Sequence, residues 1–124
     1  IFARATNGVL SEATRLSAAR HPSSLVLNSD GSRLFVVSGS SDRVVVIDTK
    51  SRRVMQQALI DTIPGGAGEG STPNALALST DGTRLYVAEA DNNAIAIFDL
   101  SASTSGIKSA SSDDRLVGRI PVGW

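Results

Sequence analysis

Cysteine is absent from the 124 residues, which excludes disulfides and thiolate metal sites and leaves the redox compartment open. Histidine occurs once, at His21, so neither a multi-histidine metal centre nor a Ser-His-Asp triad has a second base to call on. Charge of one sign is missing too. Twelve Lys plus Arg balance twelve Asp plus Glu, and neither forms a block of five, so no nucleic-acid or anionic-membrane footprint is expected. Apolar runs are short and β-branched, well below the roughly 18 residues of a membrane helix. Ile1-Phe2 carries no initiator Met, basic n-region or apolar h-region, so no targeting signal is read here.

What is present is a repeat. The stretch from Thr72 to Leu100 restates the stretch from His21 to Thr49. A shift of 51 positions, without gaps, places Pro73 on Pro22, Leu76 on Leu25, Leu78 on Leu27, Asp81-Gly82 on Asp30-Gly31, Arg84-Leu85 on Arg33-Leu34, Val87 on Val36 and Asp99 on Asp48. A period near 50 residues signals stacked units that bury their faces only against neighbours. The chain is therefore expected to be a section of a longer array, and its open ends are expected to favour self-association.

Each unit reads as four short strands. In the first, Ser24 to Asn28 leads through Asp30-Gly31 into Arg33 to Ser38, and Gly39 to Asp42 leads into Arg43 to Asp48. Asp-Gly between apolar segments marks a hairpin. A more polar strand, Val54 to Ile60, follows. The second unit runs Asn74 to Leu78, Arg84 to Glu89, Ala94 to Asp99 and Arg115 to Val122. Before the first unit, Ile1-Phe2 and Val9 to Ser17 read as strands around Asn7-Gly8, with a helix over Ser11 to Arg20 as the competitor.

The middle strands are apolar on both faces, as Val44-Val45-Val46-Ile47 shows, and such strands must be covered on both sides. A two-layer sandwich covers one face of each sheet; sheets stacked broadside around an axis cover both. The expected fold is thus all-β, a partial β-propeller of about two four-stranded antiparallel blades plus the end of a preceding one. Its parts are 1–20 (end of a preceding blade), 21–60 (blade), 61–71 (Gly-rich inter-blade loop) and 72–124 (blade with a Ser-rich insert at 101–114). Both loops are expected to be mobile surface segments.

Pro73 to Asp99, with Leu85-Tyr86-Val87-Ala88 at its centre, resembles the YVTN-type β-propeller repeat, and Leu34-Phe35-Val36-Val37 resembles it with Phe for Tyr. Departures are Thr80 and Ser29 in place of Pro, and Glu89 and Ser38 in place of Asn. Propellers of this kind serve lactonases, surface-layer proteins and binding modules, so the resemblance specifies fold more than activity. Val117 to Trp124 also resembles a segment of bacterial proteins that carry such a propeller ahead of an alkaline-phosphatase-like phosphoesterase domain. The resemblance implies a periplasmic or extracellular location, neighbouring blades as partners and a possible C-terminal phosphoesterase domain.

Four residues are candidates for ligand binding at the channel mouth: His21 and Asn74 at the starts of inner strands, and Glu89 and Asn92 at the turn after the second strand. With Asp91 and Asn93, the last two could also supply oxygen ligands to a hard cation. The first unit has Ser38, Ser40, Ser41 and Asp42 at the corresponding places, so no repeated cation site is encoded, and no catalytic residue, metal or cofactor is assigned. The run from Gly65 to Thr72 lacks the Lys and following helix of a phosphate loop. Asp48 and Asp99 are expected to accept amides of the following turn, Arg33 and Arg84 to pair with nearby carboxylates, and Trp124 to pack at the rim. The function expected is binding or scaffolding within a larger bacterial envelope protein; the alternative is a lactonase-like hydrolase completed by other blades.

Overall fold

The structure is a computed structural model that describes residues 1–18, 20–59, 70–100 and 114–123. It contains two four-stranded antiparallel sheets and a two-stranded hairpin. The hairpin is β1 (Phe2–Arg4) and β2 (Leu10–Glu12), with Gly8 at φ 86° in its turn, a left-handed value that suits glycine. The first blade orders β3 (Pro22–Leu27), β4 (Arg33–Ser38), β5 (Arg43–Asp48) and β6 (Arg53–Leu59) side by side. The second orders β7 (Pro73–Leu78), β8 (Arg84–Glu89), β9 (Ala94–Asp99) and β10 (Arg115–Pro121) in the same way.

The 51-residue shift survives down to the ladder. Arg33 opposes Asp48 as Arg84 opposes Asp99, and Pro22 opposes Ser38 as Pro73 opposes Glu89. Each inner strand carries a bulge at the same place, Ser23 in one blade and Asn74 in the other. The Asp-Gly turns are superposable in chemistry: the Gly31 amide donates to the Asn28 carbonyl at 3.0 Å, and the Gly82 amide to that of Ser79 at 2.9 Å. Asp30 and Asp81 then accept the Ser32 and Thr83 amides at 2.9 and 3.0 Å. The Ser79 hydroxyl, followed by the Thr83 amide and hydroxyl, lowers the Asp81 pKa from 3.8 to about 2, and Ser32 lowers that of Asp30. Asp48 accepts the Ser51 amide, as the turn chemistry predicts, and its pKa falls through the hydroxyl and amide of Ser51.

The blades stack face to face. Phe35, Val37, Val44 and Val46 of the first pack against Leu85, Val87, Ala96 and Phe98 of the second in one buried cluster. The first blade's other face buries Val36, Val45 and Ile47 under Leu16 and Ala18. The expected strand over Val9 to Ser17 is thus cut short: β2 ends at Glu12, and residues 13–18 serve as a cover with no helix among them. Both elements join blade to blade by polar contacts as well. Ser23 donates its hydroxyl to the Pro73 carbonyl at 3.2 Å, and Arg33, stacked over Phe35 with 5.0 Å to the ring centre, is ion-paired with Asp114 of the second blade. That pairing corrects one expectation, because Asp114 closes the Ser-rich insert yet is buried. The rest of the insert (101–113), most of the Gly-rich loop (61–69), the last residue of the expected strand, Ile60, and Trp124 lie outside the described residues. None of the described helices is long and apolar enough to cross a membrane.

Candidate functional site

The antiparallel order brings the starts of β3, β5, β7 and β9 and the ends of β4, β6, β8 and β10 to one end of the stack. All four candidate residues lie at this end; the Asp-Gly turns lie at the other. His21 directly precedes β3 and is exposed. Its Nδ1 sits 2.6 Å from Ser40 Oγ, one donating to the other according to the imidazole tautomer. Ser40 belongs to a 3-10 turn, Gly39–Ser41, whose first amide donates to the His21 carbonyl at 3.3 Å.

The second blade repeats this device in other chemistry. Thr72 occupies the place of His21 and Asp91 that of Ser40, and the Thr72 hydroxyl donates to the Asp91 carboxylate. Both His21 and Thr72 are left-handed, at φ 50° and 44°, just before a proline that disfavours the helical region for its predecessor. Because the strained conformation recurs with unrelated side chains, it belongs to the way a blade begins rather than to a ligand site.

Glu89 is 1 % exposed, on the face that meets the first blade. Arg119 Nε and Nη2 donate to its two oxygens at 2.7 and 3.2 Å, and Asn92 Nδ2 donates to one of them at 3.1 Å. The register explains the pairing: Glu89 opposes Ala94 and Arg119 opposes Ala96, so the long side chains meet across a strand whose alanines leave room. A shift in the β10 ladder between Leu116 and Gly118 helps set that phase. The bidentate fork neutralises the carboxylate where water is excluded. Glu89 and Asn92 are therefore brought together, and Arg119 is the second donor to the same carboxylate. Asn74 stands apart, exposed on the β7 bulge.

Asp42 is the residue the sequence reading passed over. One of its oxygens accepts the Ser71 amide at 2.9 Å, the Ser71 hydroxyl at 3.1 Å and the Thr72 amide at 3.0 Å. A carboxylate of the first blade thus fixes the start of the second. It also fills the space above Gly70, where a Cβ would come within 2.4 Å of the carboxylate. The last two residues of the Gly-rich loop consequently pack, and Ser71 is buried. The signal was there, since Asp42 and Asn93 match under the shift and share a left-handed φ of 46° and 47°. Arg119 left no such trace, because the position opposite Val45 in the first blade is Gln57.

What this end offers chemically is an exposed imidazole and amide on a frame whose carboxylates are engaged. Asp42 holds the next blade, Asp91 holds Thr72, and Glu89 holds Arg119. Among the described residues, no group of three or more His, Asp or Glu converges.

The profile of the lactonase seven-bladed β-propeller family matches residues 10–114. No curated protein matches the sequence. Solved structures agree in fold: a Lactobacillus plantarum protein superposes with a TM-score of 0.70 at 18% identity, over 97% of this chain and 35% of its own. The Pseudomonas aeruginosa periplasmic gluconolactonase gives 0.67 at 20% identity, over 98% and 33%. The Kuenenia stuttgartiensis hydrazine synthase gives 0.64 at 21%, over 91% and 27%. This chain thus spans about a third or less of the structures it resembles, the share expected of two blades and part of a third in a ring of seven. On the family profile and the stacked four-stranded sheets together, the chain belongs to the lactonase seven-bladed β-propeller family.

Proposed function

We propose that these two blades act as a binding and scaffolding section of a lactonase-family propeller in the periplasm or outside the cell, presenting His21 and Asn74 to a ligand. The observation that supports this reading is the engagement of the carboxylates at the His21 end. Glu89 is fully paired and Asp42 takes three donors, so both act on the framework. His21 and Asn74 are exposed there.

The second reading is a lactone hydrolase whose site is completed by other blades. The family profile and the fold shared with a periplasmic gluconolactonase support it, and the His21 to Ser40 contact is what this chain would contribute. Assaying sugar lactones with the full-length protein separates the two. On the binding reading, turnover is absent or is unchanged in His21→Ala; hydrolysis abolished by that substitution, with the fold intact by circular dichroism, overturns it in favour of the hydrolase.

A further inference from the structure

Four consecutive residues of the first blade bind two others. Ser38 donates its hydroxyl to the Arg20 carbonyl, the Gly39 amide donates to the His21 carbonyl at 3.3 Å, Ser41 Oγ accepts the Arg20 amide at 3.2 Å, and Ser40 Oγ lies 2.6 Å from His21 Nδ1. Backbone and ring of His21 are thus held together. In the second blade the Ala90 and Asp91 amides bond the Thr72 and Ser71 carbonyls at 3.3 Å and Asp91 takes the Thr72 hydroxyl, whereas Glu89 and Asn92 turn to each other. The side-chain contacts from positions 38 and 41 therefore belong to the blade that carries the histidine. Nor does access to this place depend on the lack of a blade before it: Thr72, which matches His21 and has the first blade before it, is still only half-buried.

The contact to Ser40 decides which nitrogen of the ring carries the proton. A hydroxyl can donate or accept here, but 2.6 Å is short for an N–H donor, whose usual range begins at about 2.7 Å, and ordinary for a hydroxyl donor. Donation by Ser40 to Nδ1 leaves the ring proton on Nε2. At the place of Ser40 the second blade has Asp91, a carboxylate, which accepts only and would draw the proton to Nδ1. We propose that Ser40 is a positioning residue that holds His21 as the Nε2–H tautomer, so that this end of the stack presents a hydrogen-bond donor to an acceptor oxygen, carboxylate or carbonyl, of the ligand. The ligand half of the inference rests on the reading above that His21 meets a ligand; the role of Ser40 does not.

Long-range nitrogen–proton NMR of the full-length protein in alkaline buffer tests it, the His21 signals being those lost in His21→Gln. The wild type and Ser40→Thr carry the ring proton on Nε2, and Ser40→Ala gives a mixture of tautomers. Ser40→Asp, which copies the second blade, lowers the ratio of Nε2–H to Nδ1–H at least about tenfold. Ser40 is exposed on its turn, where folding tolerates these changes, and circular dichroism verifies each variant. A proton on Nδ1 in the wild type, or the wild-type pattern retained in both Ser40→Ala and Ser40→Asp, overturns the role of Ser40. Acetate is the ligand probe, and it shifts the Nε2 signal of the wild type. A signal that acetate leaves unmoved overturns the ligand half, and with it the reading of His21 as a binding group, whatever the tautomer spectra show.

Discussion

In the first blade, Phe35, Val36 and Val37 and all of Val44 to Ile47 are buried, whereas the matching strands of the second bury only Leu85, Val87, Ala94, Ala96 and Phe98 among their apolar residues. Tyr86, Ala88, Ile95 and Ile97 are half open. The two strand pairs share register, turn and hydrogen-bond ladder. What differs is the neighbour: among the described residues, the first blade has the second on one side and Leu16 and Ala18 on the other, and the second has the first alone. Burial in this fold is thus a property of stacking, not of the blade itself, as expected where units bury their faces against adjacent units. The blades also diverge where their faces turn polar. Ser38 donates its hydroxyl to the Arg20 carbonyl, while the matching Glu89 requires Arg119.

The largest effect should come from that last difference. Glu89→Ala takes the buried carboxylate away from the Arg119 guanidinium, a loss of about 3–5 kcal/mol. Ser38→Ala at the matching position removes one neutral hydrogen bond, about 1 kcal/mol. Urea unfolding of the two variants measures both, and equal losses would break the comparison. Next come the matched apolar positions. Val46→Ala, in the shared core, is expected to cost about 2 kcal/mol, whereas Ile97→Ala on the half-open face costs about 1 kcal/mol or less although it removes more atoms. If the larger deletion proves the more harmful, the outward face is covered in solution by something beyond the described residues.

The inter-blade staple gives a third contrast. Asp42→Ala and Asn93→Ala pay the same left-handed backbone penalty, so their difference isolates the three bonds that Asp42 accepts, about 2 kcal/mol. The smallest effect concerns pH. With a folded pKa near 2 against an ordinary 3.8, Asp81 favours the folded state in full above 3.8, and that contribution fades as the pH falls through 2. Carboxyl-carbon NMR should place the Asp81 midpoint near 2, and Ser79→Ala should raise it toward 3.8.

The reach of the sequence follows from the range of each interaction. Strands, Asp-Gly turns and their ladder were legible because they are local or recur at a fixed shift, and the unbroken apolar strand at Val44 to Ile47 announced a cover on both faces. The site was legible only in part. His21, Asn74, Glu89 and Asn92 lie at one end of the stack, yet the partner that defines Glu89 lies across a strand and beyond the Ser-rich insert, 30 residues away, with no counterpart in the first unit. Asp114 was hidden for a similar reason, because the insert it closes interrupts the repeat. Asp42 was visible as a position but not as a role, since an Asx residue in a left-handed turn looks the same whether it merely turns the chain or clamps the next blade.

The two related segments stack as consecutive blades, and the largely buried Arg33 to Asp114 pair spans that interface over 81 positions of sequence. A double-mutant cycle on Arg33→Met and Asp114→Asn measures it directly. Stacked blades require a coupling of about 1–3 kcal/mol between the two substitutions; additive losses, with no coupling, would mean that the two segments do not stack in this way.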